Sequence, residues 1–265
     1  MLARRDDDHI DLGEAALLLA TRDRPGVPLD RYRDHLDKLA SDVAAAYGQS
    51  GSGAGDQLAA LNQVISGDLG YTGDSLSYDD LQNINLMRVI DRRKGLPIAL
   101  GILYLYAGRT LGWTIEGLNF PGHFLARLDE AGDRTIFDPF NGGKIIEISD
   151  MRALLKATRG GDAELLPEHY APASNRDILI RLQNNKKVRL LKAKQVAEAL
   201  VVVEDMLMFA PANAGLWHEA GLLHSHLGNL RAAMVALEQC RDLSLSPQDK
   251  HRVAQLIGEL RNRLN

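Results

Sequence analysis

The sequence predicts an α+β domain followed by an all-α tail. Three observations carry that prediction: helical periodicity from Asp11 to Gly112, short alternating runs between Thr114 and Ile148, and a return to helical periodicity from residue 175 onward. A length of 265 residues suits two modest domains, each able to bury a core. The net charge of -4 offers no basic field for nucleic acid or an anionic membrane, so neither is expected as a partner. No apolar run approaches a membrane-spanning length. The single cysteine, Cys240, excludes an internal disulfide and a cysteine-rich metal site. A cytoplasmic location is the expectation, with no cofactor and no metal.

Leu12, Ala15, Ala16 and Leu19 share one helical face; Tyr32, Leu36, Leu39, Val43 and Tyr47 share another. Pro25, Gly26 and Pro28 break the chain between them. "GQSGSGAG", Gly48 to Gly55, reads as a flexible joint, and "DQLAALNQVISGDLG" as a helix that Gly67 or Gly70 ends. Ile98 to Leu111 is apolar on nearly every side, which predicts a central helix with protein all round it. Pro97 suits its first turn, and Gly112 closes it.

The period then changes to β-type runs at Thr114–Leu118, His123–Leu128, Arg134–Asp138 and Lys144–Ile148, a small antiparallel sheet. If "DEAG", Asp129 to Gly132, forms a four-residue hairpin loop, Leu128 faces Asp133 and the register sets His123 opposite Asp138. Opposed side chains have Cβ atoms roughly 4.5–5.5 Å apart, close enough for a carboxylate to orient an imidazole.

Pro167 and Pro172 mark a linker. The domain boundaries predicted are 1–160 for the core with its N-terminal helices, 161–174 for the linker and 175–265 for the helical tail. Within the tail, "AEALVVVEDMLMFAP" aligns with "RAAMVALEQCRDLSLSP", Ala199 against Ala233, at a period of about 34 residues. Trp217 and Gly221 fall where a TPR unit has its tryptophan and glycine; Gln183 and Lys187 stand there in the first copy. The tail resembles a degenerate pair of TPR units, Arg176–Pro211 and Ala212–Pro247, with a capping helix from Lys250 to Leu264.

"DLQNINLMRVIDRRKGLPIALGILYLYAGRTLGW", "FPGHFLARL" and "IFDPFNGG", in that order and before such a tail, resemble the SirB family of transglutaminase-like proteins. The resemblance implies a transglutaminase-like, papain-like core. It places His123 on the family's histidine and Asp138 on its aspartate. Active transglutaminase-like proteins open the central helix with a cysteine nucleophile. Counting back from Leu111–Gly112 by the superfamily's spacing puts Pro97 in that slot, where it supplies neither an attacking atom nor an amide proton. Leu96, Ile98 and Ala99 offer no substitute.

His123 and Asp138 are then a vestigial dyad, either a tie between strands or a surviving binding site. Two ligands are fewer than the three or four a zinc site takes. Cys240 lies on the packing face of the second repeat and reads as a core residue. Arg92 and Arg93 of "DRRKG" are candidates for clamping a carboxylate, from a partner or from Asp91, against the alternative of a solvated turn. Asn83 is a candidate binding residue that can equally bond backbone. "FNGG" reads as a tight turn. Two functions follow: a non-catalytic protein-interaction or regulatory module whose TPR-like tail takes a protein or peptide, and a hydrolase or acyl-transfer enzyme using His123 and Asp138 without a thiol. The missing nucleophile favours the first.

Overall fold

The computed structural model describes residues 6–48 and 53–264. Residues 49–52 of the joint expected at Gly48–Gly55 therefore lie outside the described residues. The chain divides into two compact units: residues 10–179, and residues 180–264 together with 6–9.

In the first unit, Asp11 caps α1 (Leu12–Ala20) by accepting the Glu14 amide proton at 2.9 Å. Helix α2 (Asp30–Tyr47) buries the expected face of Tyr32, Leu36, Leu39 and Val43. Helix α3 (Ala54–Asn62) passes into a single π-type turn, Gln63–Asp68. Strand β1 (Thr72–Gly73) pairs in parallel with β2 (Lys94–Gly95), a pairing the sequence did not announce because each is two residues long. Between them α4 (Leu86–Arg92) is capped by Asn85 and ended by Arg93 in the left-handed conformation, φ 59°.

Helix α5 (Pro97–Thr110) is the expected central helix: every residue from Pro97 to Leu105 is buried, and Pro97 sits in its first turn. Strands β3 (Thr114–Gly117), β4 (Ala126–Glu130), β5 (Asp133–Asp138) and β6 (Lys144–Ile145) form an antiparallel sheet in that order. Ile148, assigned to a strand by its apolar pattern, instead begins α6 (Ile148–Arg159), started by a reciprocal Glu147–Asp150 capping box. Met151 and Leu155 of α6 pack on Leu118, Phe120, Leu125 and Ile146.

The hairpin corrects the expected register. Its loop is two residues, Ala131 and Gly132, both with positive φ (50° and 90°), as a tight hairpin requires. Glu130 pairs with Asp133 and Leu128 with Thr135, two residues away from the expected alignment. A shift of two keeps each side chain on its face, but it takes His123 out of register with Asp138, and β4 begins only at Ala126, which leaves His123 outside the strand. The segment 161–174, expected as a linker, is laid along the sheet: the Asn119 amide donates to Ala171 O at 3.0 Å, the Ala173 amide to Gly117 O at 2.8 Å, and Ala163 and Leu165 pack on the α6 cluster.

The second unit is built from the C-terminal part of α7 (Asn175–Lys192), α8 (Val196–Phe209), α9 (Ala214–His226), α10 (Leu230–Leu243) and α11 (Pro247–Leu264). These are two helical hairpins and a final helix; the expected unit boundary at Pro211–Ala212 falls in the turn between α8 and α9, while the capping helix expected from Lys250 begins at Pro247. Trp217 Nε1 donates to Pro211 O at 2.8 Å, and Ala233, Leu237 and Cys240 pack on Val253, Ile257 and Leu260. In the first repeat Lys187 replaces the glycine; its side chain is 9% exposed and forms an ion pair with Glu219, which is 42% exposed. Glu219→Gln leaves that ammonium poorly paired and is expected to cost about 1–3 kcal/mol in chemical denaturation. The double variant Lys187→Met, Glu219→Leu should recover most of the loss; an equally unstable double variant would show that the pair is not what sets the stacking.

Candidate functional site

His123 follows Gly122 in the loop between β3 and β4, and Asp138 is the last residue of β5. They meet without being strand partners: His123 Nε2 lies 2.8 Å from Asp138 Oδ2. The reason is the turn after β5. Asp138 caps the short helical turn Pro139–Asn141, its Oδ1 accepting the Phe140 amide proton at 2.9 Å, while Oδ2 also accepts from Asn141 Nδ2 at 2.7 Å. The Phe140 ring meets the imidazole edge-on, centroids 6.3 Å apart, and Tyr78 meets Phe140 in turn at 5.8 Å. Next to His123, the Phe124 ring packs so closely on Gly101 of α5 that a Cβ there would overlap it.

Asp138 is 2% exposed, while the His123 side chain is 17% exposed. Burial pushes the carboxyl up, but the bond and charge of His123, then Asn141 and the Phe140 amide, outweigh it and hold its pKa below the usual carboxylate range. An ionised Asp138 only accepts, so the proton between the two lies on Nε2 of His123. That arrangement orients a ring and fixes its tautomer. It does not supply an attacking atom. Pro97 is buried at the start of α5. Cys240 is buried in the second unit's own core, where burial pushes its thiol up. Among the described residues, no three His, Cys, Asp or Glu side chains group as a metal site.

The other candidates have internal partners. Arg92 donates to Asn83 Oδ1 at 2.9 Å and to buried Asp74 at 3.0 Å. Asn83, wholly buried, donates to Ser77 O at 2.7 Å, and Asp74 accepts the Ser77 amide proton at 2.9 Å. The four residues close a ring that fixes the loop leading to Tyr78. Asp91 is not the arginine's partner; Arg24 (2.6 Å), Arg31 (3.0 Å) and Tyr32 (3.1 Å) hold it. Arg93 stacks over Tyr71, bonds its hydroxyl, and reaches His35 Nε2 at 2.8 Å. Asn141, Phe140 and Tyr78 were missed as site residues in the sequence; the "IFDPFNGG" run that carries Asn141 and Phe140 was visible as a block of the family resemblance and "FNGG" as a turn, with no role for either side chain.

A His–Asp pair poised beside a buried central helix and a small antiparallel sheet, with helical hairpins following, is the design of a transglutaminase-like core with a TPR-type tail. A model of the transglutaminase-like superfamily matches residues 30–184, and a tetratricopeptide repeat model matches 187–258. A UPF0162 protein of Xylella fastidiosa (strain Temecula1) is 30% identical over 98% of this chain and 92% of its own length. A UPF0162 protein of Vibrio cholerae is 29% identical over 92% of this chain and 86% of its own length. Protein SirB1 of Salmonella typhimurium is 26% identical over 92% of each. No solved structure matches. The chain belongs to the transglutaminase-like superfamily, within the group that contains SirB1 and the UPF0162 proteins. Among the described residues, no helix is long and apolar enough to cross a membrane.

Arginine can only donate, so His35 Nε2 is an acceptor and the ring is neutral. Burial first, and the Arg93 charge second, lower its pKa from 6.5 to about 4. The folded state then binds fewer protons than the unfolded one in that window, so this contribution is complete above pH 6.5 and is lost as pH falls toward 4. His35→Gln, which keeps an acceptor for Arg93, is expected to flatten the fall in urea midpoint between pH 6.5 and about 5, above the ordinary carboxylate range. Parallel curves for the two proteins would remove His35 as its source.

Proposed function

We propose that this chain is a non-catalytic transglutaminase-like protein that acts as a protein-binding or regulatory module. The observation that carries the reading is Pro97: the residue that resemblance places in the nucleophile slot is a buried proline in the first turn of α5. The only thiol in the sequence belongs to a packed helical core and is less ionised than a free cysteine. The tail supports a peptide ligand. Its match is to a repeat that binds extended or helical segments, and it carries a cleft of about 560 Å³ between α9, α10 and α11, lined by His218, Arg252, Leu256 and Glu259 among others.

A second reading has its own support in the 2.8 Å His123–Asp138 bond. There His123 acts as a general base on water or a substrate hydroxyl, and Asp138 fixes its tautomer. The two readings separate in one experiment on the full chain: quantitative affinity capture with wild type, His123→Ala and Leu256→Arg, beside acyl-transfer and hydrolysis assays. Binding that survives His123→Ala and falls at least tenfold with Leu256→Arg, with no turnover, is the expected result. Turnover by the wild type that His123→Ala abolishes would establish the enzyme instead.

A further inference from the structure

The turn after Asp138 is held from a direction that the hairpin does not explain. Helix α3 ends at Asn62, and the chain widens into the π-type turn Gln63–Asp68. Such turns forfeit regular helical bonding and recur at functional sites. The Asn62 amide uses both its ends: Oδ1 accepts from the Tyr104 hydroxyl at 3.1 Å, and Nδ2 donates to Gly143 O at 3.1 Å. Gly143 has φ +74°, and a Cβ on it would overlap the Asn62 amide, so only glycine admits this approach. The Gly143 amide donates in turn to Asp138 O at 2.9 Å. Tyr104 belongs to the buried middle of α5, with its ring 5.3 Å from Phe137, the residue before Asp138. Burial first and the Asp138 charge second push the Tyr104 phenol up.

We infer that Asn62 is a positioning residue of the His123–Asp138 pair: by tying Tyr104 of the central helix to Gly143, it fixes the turn that aims the Asp138 carboxylate at the imidazole. The π-type turn follows Asn62 directly and places Ser66 where a Cβ on Gly142 would crowd its hydroxyl, a second close approach to the turn after Asp138. A carboxylate displaced by about 1 Å would leave hydrogen-bond range of a ring now 2.8 Å away. This goes beyond the protein-binding reading and holds whether the pair grips a ligand or moves a proton.

The test is imidazole ¹H–¹⁵N and carboxylate ¹³C NMR on the full chain across pH. Wild type should show a protected Nε2 proton on His123 and an Asp138 midpoint below the ordinary range. Asn62→Ala and Asn62→Asp both remove the donor to Gly143; each is expected to lose the protected proton and to raise the Asp138 midpoint by about one pH unit. Tyr104→Phe keeps the buried ring and loses only the hydroxyl, and should move both signals the same way by less. Should Asn62→Ala fail to fold, Asn62→Asp and Tyr104→Phe decide. A folded Asn62 variant that keeps both wild-type signals, whatever its stability, overturns the inference, as does Tyr104→Phe with signals unchanged.

Discussion

One buried carboxylate organises the end of the first unit. An ionised group with almost no contact with water must gather donors or give up its charge, and Asp138 gathers a backbone amide, a side-chain amide and an imidazole. Each donor shapes the chain that supplies it. The Phe140 amide is available because the strand stops and turns helically at Pro139. Asn141 reaches back because the same turn carries it there, and His123 reaches the carboxylate from the loop between β3 and β4.

The same logic explains the charged residues before the central helix. Arg92, Asn83 and Asp74 spend their bonding capacity on one another and on the Ser77 backbone. Asp74 lies below the usual carboxylate range, first through the Ser77 amide and then, against the effect of burial, through Arg92 and Asn83. A loop fixed this way keeps Tyr78 against Phe140, and Phe140 against His123, so the wall of the site inherits its rigidity from residues that do not touch it.

Elements with strong periodicity were legible in the sequence. The all-round apolar pattern from Ile98 to Leu111 read as a buried central helix, and the 34-residue offset between Ala199 and Ala233 set the bounds of the two repeat units. The hairpin register was not legible, because "DEAG" fits either a four-residue loop or a two-residue one flanked by Glu130 and Asp133. Periodicity is blind to that choice. His123 and Asp138 were visible as residues, yet their contact arises from a side-chain cap after β5 rather than from the pairing that suggested it. The partners of Arg92 and Arg93 lie 18 residues away at Asp74 and 58 away at His35, and no local pattern links such positions.

If the dyad is intact and only the attacking atom is missing, a sulfur placed in the slot should feel the imidazole. The most direct measurement is the pH dependence of alkylation in a Pro97→Cys, Cys240→Ser protein, with and without His123→Ala. The account predicts a thiol that ionises well below the ordinary value of about 8.5 and reacts at least tenfold faster near neutral pH when His123 is present. An introduced thiol with ordinary acidity, indifferent to His123, would contradict it.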